Sequence, residues 1–248
     1  MSRLSFLAPV AGVIVALLAS ATMGQTATQN AAEPAAQQPQ QPQRKTYQVG
    51  EFYLPASRVY VHVDKTGLGH EHAVVGMIAR GRIVLGADKD AGEIIFDMKS
   101  FQADTEAARK YLGLEGTTDP STQQQVNANM TGPLVLDVEE YPTAVFKATS
   151  ALALPKPSRR GLPQYELAGV FTLHGVARPL KFLVEVEPSN GWQRIRGGFA
   201  INQTDFGIKP FTKAFGAVGV ADRLTIWGDA LAAPAAGGVA QAATTATR

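Results

Sequence analysis

Apolar and polar residues alternate along much of this chain. The alternation covers seven segments: residues 58–64, 92–98, 143–150, 165–173, 179–187, 193–203 and 223–231. A period of two places the apolar side chains on one face of an extended strand and the polar ones on the other. With a further strand from His72 to about Leu85, the pattern predicts about eight antiparallel strands that share one buried face.

Residues 103–133 break this alternation and predict two helices between the third and fourth strands. Asp104 is the predicted N-terminal cap of the first helix. Asp119, followed by Pro120, predicts the start of the second, and Gly132 lies just beyond its end. These residue types are typical of helix ends because they satisfy free backbone groups or fit the first turn. The chain therefore predicts an all-β fold with a short helical insertion.

A sheet with one apolar face must close on itself or pack against another sheet. Eight strands form a barrel that is either filled by side chains or wide enough for one slender ligand. Small residues interrupt the apolar faces and favour space for a ligand: Ala144, Ala148, Gly169, Gly197 and Gly228. Alternatively, the glycines mark bulges or corners where the sheet bends.

The two ends of the chain differ in composition from this domain. Residues 1–21 have a basic residue, an apolar run and a final Ala-Ser-Ala, which together predict a signal peptide, either cleaved or kept as an N-terminal anchor. Residues 22–46 are rich in Ala, Gln and Pro, and residues 233–248 are similar, so both are predicted to be disordered. The folded domain is therefore expected at residues 47–232, in a periplasmic or secreted protein.

Composition narrows the function classes. The formal net charge is +2 and the chain contains no cysteine. We therefore expect no nucleic-acid partner and no disulfide framework.

Two histidines flank a glutamate in "GHEHAVVG", and the whole chain has four histidines. On a strand, His70 and His72 would lie on the same side as Val74, at one end of the barrel, with Glu71 pointing away. They are predicted to form a polar mouth that can hydrogen-bond a ligand headgroup. A structural pair bonded to loops and a metal site are the alternatives, although the His-Glu-x-x-His spacing of zinc peptidases is absent.

The segment 204–222 is a long loop rich in Gly and Phe between the last two strands. Long loops at a barrel rim often carry binding residues. Phe206, Phe211 and Phe215 are therefore predicted at the channel mouth, or alternatively as caps that exclude water from the core.

Several of these segments together resemble the YceI family of exported, lipocalin-like proteins. The similarity lies in "VYVHVD", "GEIIFDMKSFQADT", "LDVEEYPTAVFKATS", "YELAGVFTLHGVARPLKF", "FAINQTDFGI" and "VADRLTIWGDA". The resemblance implies an antiparallel barrel around a long apolar channel that binds a polyisoprenoid lipid, such as the tail of a quinone. It implies no catalytic residues.

The sequence therefore predicts an exported, non-enzymatic lipid carrier or reservoir that makes transient contact with a membrane. We expect no bound cofactor or metal apart from the lipid itself. The large side chains of the inward faces are the predicted channel lining: Val74, Phe96, Phe146, Phe171, Phe182, Phe199 and Ile226. The alternative function is a periplasmic metal-binding protein or enzyme that uses His70, Glu71 and His72.

Overall fold

The structure, a computed structural model, describes residues 45–234. The predicted leader at residues 1–21 lies outside this range. So do the predicted linker, apart from its last two residues, and the predicted tail, apart from its first two.

The described chain is a closed antiparallel β-barrel with a helical insertion, which confirms the predicted fold. Its elements are β1 (Arg58–Gly67), β2 (His72–Ile83), β3 (Gly92–Ala103), α1 (Glu106–Leu112), α2 (Pro120–Thr131), β4 (Thr143–Ala153), β5 (Gln164–Leu173), β6 (Val176–Ser189), β7 (Trp192–Asn202), β8 (Thr212–Lys213) and β9 (Val218–Ala232). Eight long strands pair with their neighbours, and β1 pairs with β9 to close the barrel. The two-residue strand β8 pairs only with β9.

Alternation along each strand separates the core from the surface. On β6, Val184 and Val186 are buried in the barrel. On the outer face of the same strand, Lys181 pairs with Glu166 of β5 at 3.0 Å. Since successive side chains of a strand point to opposite faces, one face of each strand supplies the core. The barrel interior is therefore built from the residues that the sequence pattern placed inside.

The helices begin and end at residues with recognisable capping chemistry. Asp119 accepts a hydrogen bond from the backbone N–H of Thr122 and caps α2, as predicted. The cap of α1 is Thr105, not Asp104 as predicted. Asp104 is instead turned into the protein, where other groups donate to its carboxylate, so capping preferences alone placed the start of the helix one residue too early.

Two side chains fix α2 across one end of the barrel, which we call the helical end. Asn127 accepts a hydrogen bond from the backbone N–H of Ala103 at 2.7 Å. Gln123 donates to the carbonyl of the same residue at 2.9 Å. These bonds satisfy the last backbone groups of β3 and hold the helix at this end of the barrel.

The segment that precedes β1 covers the opposite end, which we call the covered end. The backbone N–H of Phe52 donates to the carbonyl of Gly81, and that of Gly50 donates to Ala233. The Phe52 ring is buried and lies over Gly81, where an added Cβ would approach within 2.1 Å of it. Trp192 packs beside this segment, with its ring centroid 4.9 Å from that of Tyr47. This end of the barrel is therefore sealed by aromatic side chains.

Candidate functional site

A cavity of about 310 Å³ occupies the half of the barrel nearest the helical end; we call it the large chamber. Its wall combines inward residues of the strands with one side of α2 and parts of the loop before β9. The apolar lining includes Val61, Val63, Met98, Phe101, Val126, Met130, Leu173, Ile201 and Leu224. This volume lies at the lower end of the range of small-molecule pockets, about 300–1,000 Å³.

Aromatic rings separate the large chamber from a second cavity of about 60 Å³, the small chamber, nearer the covered end. Phe96 and Phe199 line both cavities. Phe171 contacts both rings, with centroid distances of 6.3 Å to Phe96 and 5.9 Å to Phe199. Phe182 continues the cluster at 4.9 Å from Phe199. The interior therefore narrows at a ring cluster and does not form a uniform channel.

The predicted channel residues are divided between the two chambers. Five of them line the large chamber: Val74, Phe96, Phe171, Phe199 and Ile226. Phe146 and Phe182 line the small chamber instead, with their ring centroids 5.3 Å apart. All seven point into the barrel, but Phe146 and Phe182 do not line the chamber at the helical end.

The predicted mouth residues are distributed over three environments. His70, His72 and Phe211 line the large chamber. Phe206 is buried in the core, with its ring 5.7 Å from that of Phe171, and does not line the chamber. Phe215 is fully exposed at the tip of the loop before β9.

The small residues of the inward faces were expected either to leave space for a ligand or to let the sheet bend, and two glycines illustrate the two cases. A Cβ at Gly169 would lie 2.2 Å from the carbonyl oxygen of Lys147, so this glycine permits close approach of two strands beside a register shift. A Cβ at Gly228 would meet nothing within 4 Å, and this residue lines the small chamber. Glycine therefore marks a strand contact at one position and open space at the other.

A network of polar side chains lies at the wall of the large chamber, centred on Asp104. His72 Nδ1 is 2.6 Å from Asp104 Oδ2. Asp104 Oδ1 accepts from the backbone N–H of Ala73 at 3.1 Å and from Arg109 Nη1 at 3.0 Å. The Asp104 side chain is completely buried, while His72 and Arg109 are each 13% exposed. The network ties the start of β2 to the first turns of the helical insertion.

The protonation of Asp104 follows from these contacts. Burial raises the pKa of this carboxyl group, but the hydrogen bonds from His72, Ala73 and Arg109 together bring it below its ordinary value. Asp104 is therefore a carboxylate at neutral pH. A buried carboxylate is costly unless it is paired and hydrogen-bonded, and here both oxygens have partners.

His70 lies beside this network without joining it. Its Nε2 is 4.0 Å from Asp104 Oδ2, which is beyond hydrogen-bonding distance, and its side chain is 55% exposed. Burial and the neighbouring His72 lower the pKa of His70, so its imidazole is neutral at neutral pH. Glu71 points away, with Oε2 3.5 Å from His62 Nε2 on the outer wall.

Two imidazoles and one carboxylate, from His70, His72 and Asp104, are close enough to bind a metal ion. The sequence-based alternative used Glu71 in place of Asp104. Both Asp104 oxygens already accept hydrogen bonds, and the Arg109 guanidinium lies beside them. A divalent cation would have to displace these partners and face a positive charge, so the donor set fits a hydrogen-bond network better than a metal centre.

Reasoning from the sequence missed two parts of this site. Asp104 and Arg109 were assigned only to helix ends, and their pairing joins residues that no short motif brings together. The polar lining of α2 was also missed: Thr122, Gln125 and Asn129 line the large chamber. These three residues are spaced by three and four positions, so they share one face of a helix that has little apolar surface. This spacing could have predicted the polar lining from the sequence.

A comparison with solved structures finds several similar proteins. A solved structure of BcnA from Burkholderia cenocepacia is 18% identical, covering 73% of this chain and 99% of that one, with a TM-score of 0.47. A polyisoprenoid binding domain from Saccharophagus degradans is 13% identical, covering 75% and 100%, with a TM-score of 0.47. The YCEI protein of Campylobacter jejuni is 11% identical, covering 59% and 71%, with a TM-score of 0.32.

Among curated proteins, none matches this sequence significantly. Within residues 45–234, no helix has the length and apolar character needed to span a membrane. The family model of the YceI-like domain matches residues 54–230, from just before β1 almost to the end of β9. The chain therefore belongs to the YceI-like domain family.

Proposed function

We propose that this protein binds a long apolar lipid of the polyisoprenoid class in the large chamber. The observation that carries the proposal is an unfilled, predominantly apolar cavity at the open half of an otherwise well-packed barrel. The polar groups of the cavity, including His72 and the α2 amides, lie near the helical end. Such a distribution suits a ligand with a long hydrocarbon tail and a small polar headgroup.

Energetics favour a carrier or reservoir over an irreversible trap. Transfer of hydrocarbon out of water gains about 0.8 kcal/mol per CH₂, hence about 4 kcal/mol for each five-carbon isoprene unit. A prenyl tail in a bilayer has already gained this free energy. Exchange between bilayer and barrel is then nearly neutral per isoprene unit, so ligand selection rests on shape and on the headgroup.

Membrane contact is proposed through the rim of the helical end. The tip of the β1–β2 hairpin and the loop before β9 are joined by a hydrogen bond from Leu68 N–H to the Ala217 carbonyl. Leu68 is 86% exposed and Phe215 is fully exposed, and the exposed Lys65, near the end of β1, and Lys213, at the end of β8, precede them in the chain. Apolar tips flanked by lysines are suited to an anionic lipid surface.

Export to the periplasm completes the proposal. It is supported by the order of parts in residues 1–21, where a basic residue and an apolar run precede Ala-Ser-Ala. In that location the barrel would exchange its ligand with a membrane without catalysing a reaction on it.

The proposed ligand is testable on protein purified from its native host. Organic extraction followed by mass spectrometry should recover a prenyl lipid at close to one molecule per chain. Failure to recover any lipid, combined with failure to take up added farnesol, would refute the function. Stoichiometric zinc or iron that is lost in the double variant His70→Ala, His72→Ala would instead support the metal-binding alternative.

A further inference from the structure

The large chamber has a lysine in its wall and no acidic residue. Among the described residues that line it, Lys213 is the one with a permanent charge, and none is Asp or Glu. Lys213 Nζ lies 5.5 Å from the ring centroid of Phe211, which also lines the chamber. Within residues 45–234, Lys213 is exposed and forms no ion pair. Its ammonium group is therefore a hydrogen-bond donor without an anionic partner in the protein.

Two further cations act on the same end of the barrel. The pKa of His70 is lowered first by burial and then by His72, and the positive charges of Arg109 and Lys65 lower it further. Lys65 is exposed and, within the described part of the chain, forms no ion pair. A cleft lined by charges of one sign attracts ligands of the opposite sign, so this opening favours an anion.

Carboxylates on the neighbouring elements bind other groups and do not line the chamber. Asp104 forms an ion pair with Arg109 at 3.0 Å. Three others accept hydrogen bonds from backbone N–H groups: Asp64 from Lys65, Asp119 from Thr122 and Asp222 from Thr204. A ligand headgroup inside the chamber therefore meets the charge of Lys213 before that of any carboxylate.

His72 adds a second requirement, which holds in both of its protonation states. Its Nδ1 is bound to Asp104 at 2.6 Å, so Nε2 remains for a ligand. Nε2 accepts a hydrogen bond when the ring is a neutral imidazole and donates one when it is an imidazolium. A headgroup that fits both states must be able to donate and to accept. The amides of Gln125 and Asn129 tolerate either role.

Building on the proposed lipid function, we infer that the headgroup bound in the large chamber is a phosphate monoester, so that the ligand is a prenyl phosphate. At neutral pH this group carries about 1.5 to 2 negative charges and accepts hydrogen bonds strongly, which suits Lys213. Because its second pKa is about 6, part of the population keeps a P–OH that can donate to a neutral His72. A carboxylate only accepts and an alcohol has no charge, so each meets one requirement of the two. Lys213 is thus a specificity-determining residue that acts through direct contact.

Three probes share one tail and differ at the headgroup: farnesyl phosphate, farnesol and farnesoic acid. Without vesicles, the full chain should bind farnesyl phosphate about tenfold more tightly than farnesol, the effect of one hydrogen bond to a charged group that stays partly in solvent. Farnesol bound as tightly as farnesyl phosphate, or farnesoic acid bound as tightly, would overturn the inference. Binding of none of the three would instead count against the proposed function, so the two failures are distinguishable.

Variants of Lys213 locate the origin of this preference. Lys213→Gln should bring the affinity for farnesyl phosphate to within about threefold of that for farnesol, whereas Lys213→Arg keeps the charge and should keep most of the ratio. The control variant Lys181→Gln removes an exposed lysine from the outer wall and should retain the wild-type ratio. A tenfold ratio that survives in Lys213→Gln would contradict the assignment.

Salt dependence tests the same claim on the wild-type chain. Raising the salt concentration from about 0.05 M to about 0.5 M screens exposed charges, so it should weaken farnesyl phosphate binding severalfold relative to farnesol binding. Equal salt responses of the two probes would show that the protein does not recognise the charge of the phosphate.

Discussion

The two halves of the barrel are built from the same strands, yet one is sealed and the other is open. At the covered end, Phe52 fills the space above Gly81, and only about 60 Å³ remains in the small chamber. At the helical end, α2 crosses the opening through hydrogen bonds and leaves about 310 Å³ beneath it. The difference lies in what covers each end and in the aromatic rings that fill the barrel near the covered end. An aromatic ring seals the barrel, whereas a polar helix leaves the large chamber unfilled.

The largest expected effect comes from removing the aromatic seal. Phe52→Ala should lower the free energy of unfolding by about 3–5 kcal/mol, the usual cost of deleting a buried ring. Chemical denaturation measures this loss. Phe215→Ala removes a fully exposed ring and should change the free energy by less than about 0.5 kcal/mol. Similar losses in the two variants would mean that the covered end is not sealed by packing.

The polar network at the helical end should matter somewhat less to stability. Asp104→Asn should lower the free energy of unfolding at pH 7 by about 2–4 kcal/mol, since Arg109 then lacks its ionic partner. The folded pKa of Asp104 is below its ordinary value, so its contribution is present above about pH 4 and is lost as pH falls through the folded pKa. Denaturation between pH 7 and pH 2 should show a smaller acid-induced loss in Asp104→Asn than in the wild type. Parallel pH curves for the two proteins would contradict this role.

Filling the large chamber should affect binding more than stability. Val74→Phe places extra volume in the cavity that Val74 lines and should weaken farnesol binding by roughly tenfold or more, about 1.4 kcal/mol. Gly228→Ala adds one methyl group to the small chamber and serves as the matched control. If Gly228→Ala weakened binding as much as Val74→Phe, the ligand would extend past the ring cluster.

The rim of the helical end should control exchange with membranes. The double variant Leu68→Ser, Phe215→Ser should slow transfer of farnesol from anionic vesicles severalfold and leave its equilibrium affinity unchanged. Leu183→Ser, on the barrel wall, is the control because this leucine is also partly exposed. Transfer slowed equally by the wall variant would argue against a specific rim contact.

The smallest expected change in the free energy of unfolding comes from filling the open space at Gly228. Its φ is not in the left-handed region and an added Cβ would meet nothing within 4 Å. Gly228→Ala should therefore raise the free energy of unfolding by up to about 1 kcal/mol, mainly by restricting the unfolded chain. Thermal or chemical denaturation would detect this gain, and a clear loss would show that the position is crowded.

The sequence predicted the barrel well because each strand contains its own signal. The alternation of Leu180, Phe182, Val184 and Val186 on β6 is local, and so is the cap formed by Asp119 and Pro120. Closure by pairing of β1 with β9 could not be read from any one segment, but it follows from the need to bury a sheet with one apolar face.

The site was less predictable because its partners are distant in sequence. Asp104 contacts His72 across 32 positions, and local capping preferences pointed to a different role for it. Phe206 and Phe215 occur in the same Gly- and Phe-rich loop, yet one is buried and the other is exposed. Loop composition does not encode which side of the backbone faces the core, whereas strand alternation does.

Photo-crosslinking tests the central claim most directly. A farnesol analogue that carries a diazirine on its tail would be bound to the full chain, irradiated, and located by peptide mass spectrometry. The structure predicts labels on residues of the large chamber, such as Val61, Ile201 and Leu224. Labels confined to the exposed Leu68 and Phe215, or to the outer wall, would contradict a lipid site inside the barrel.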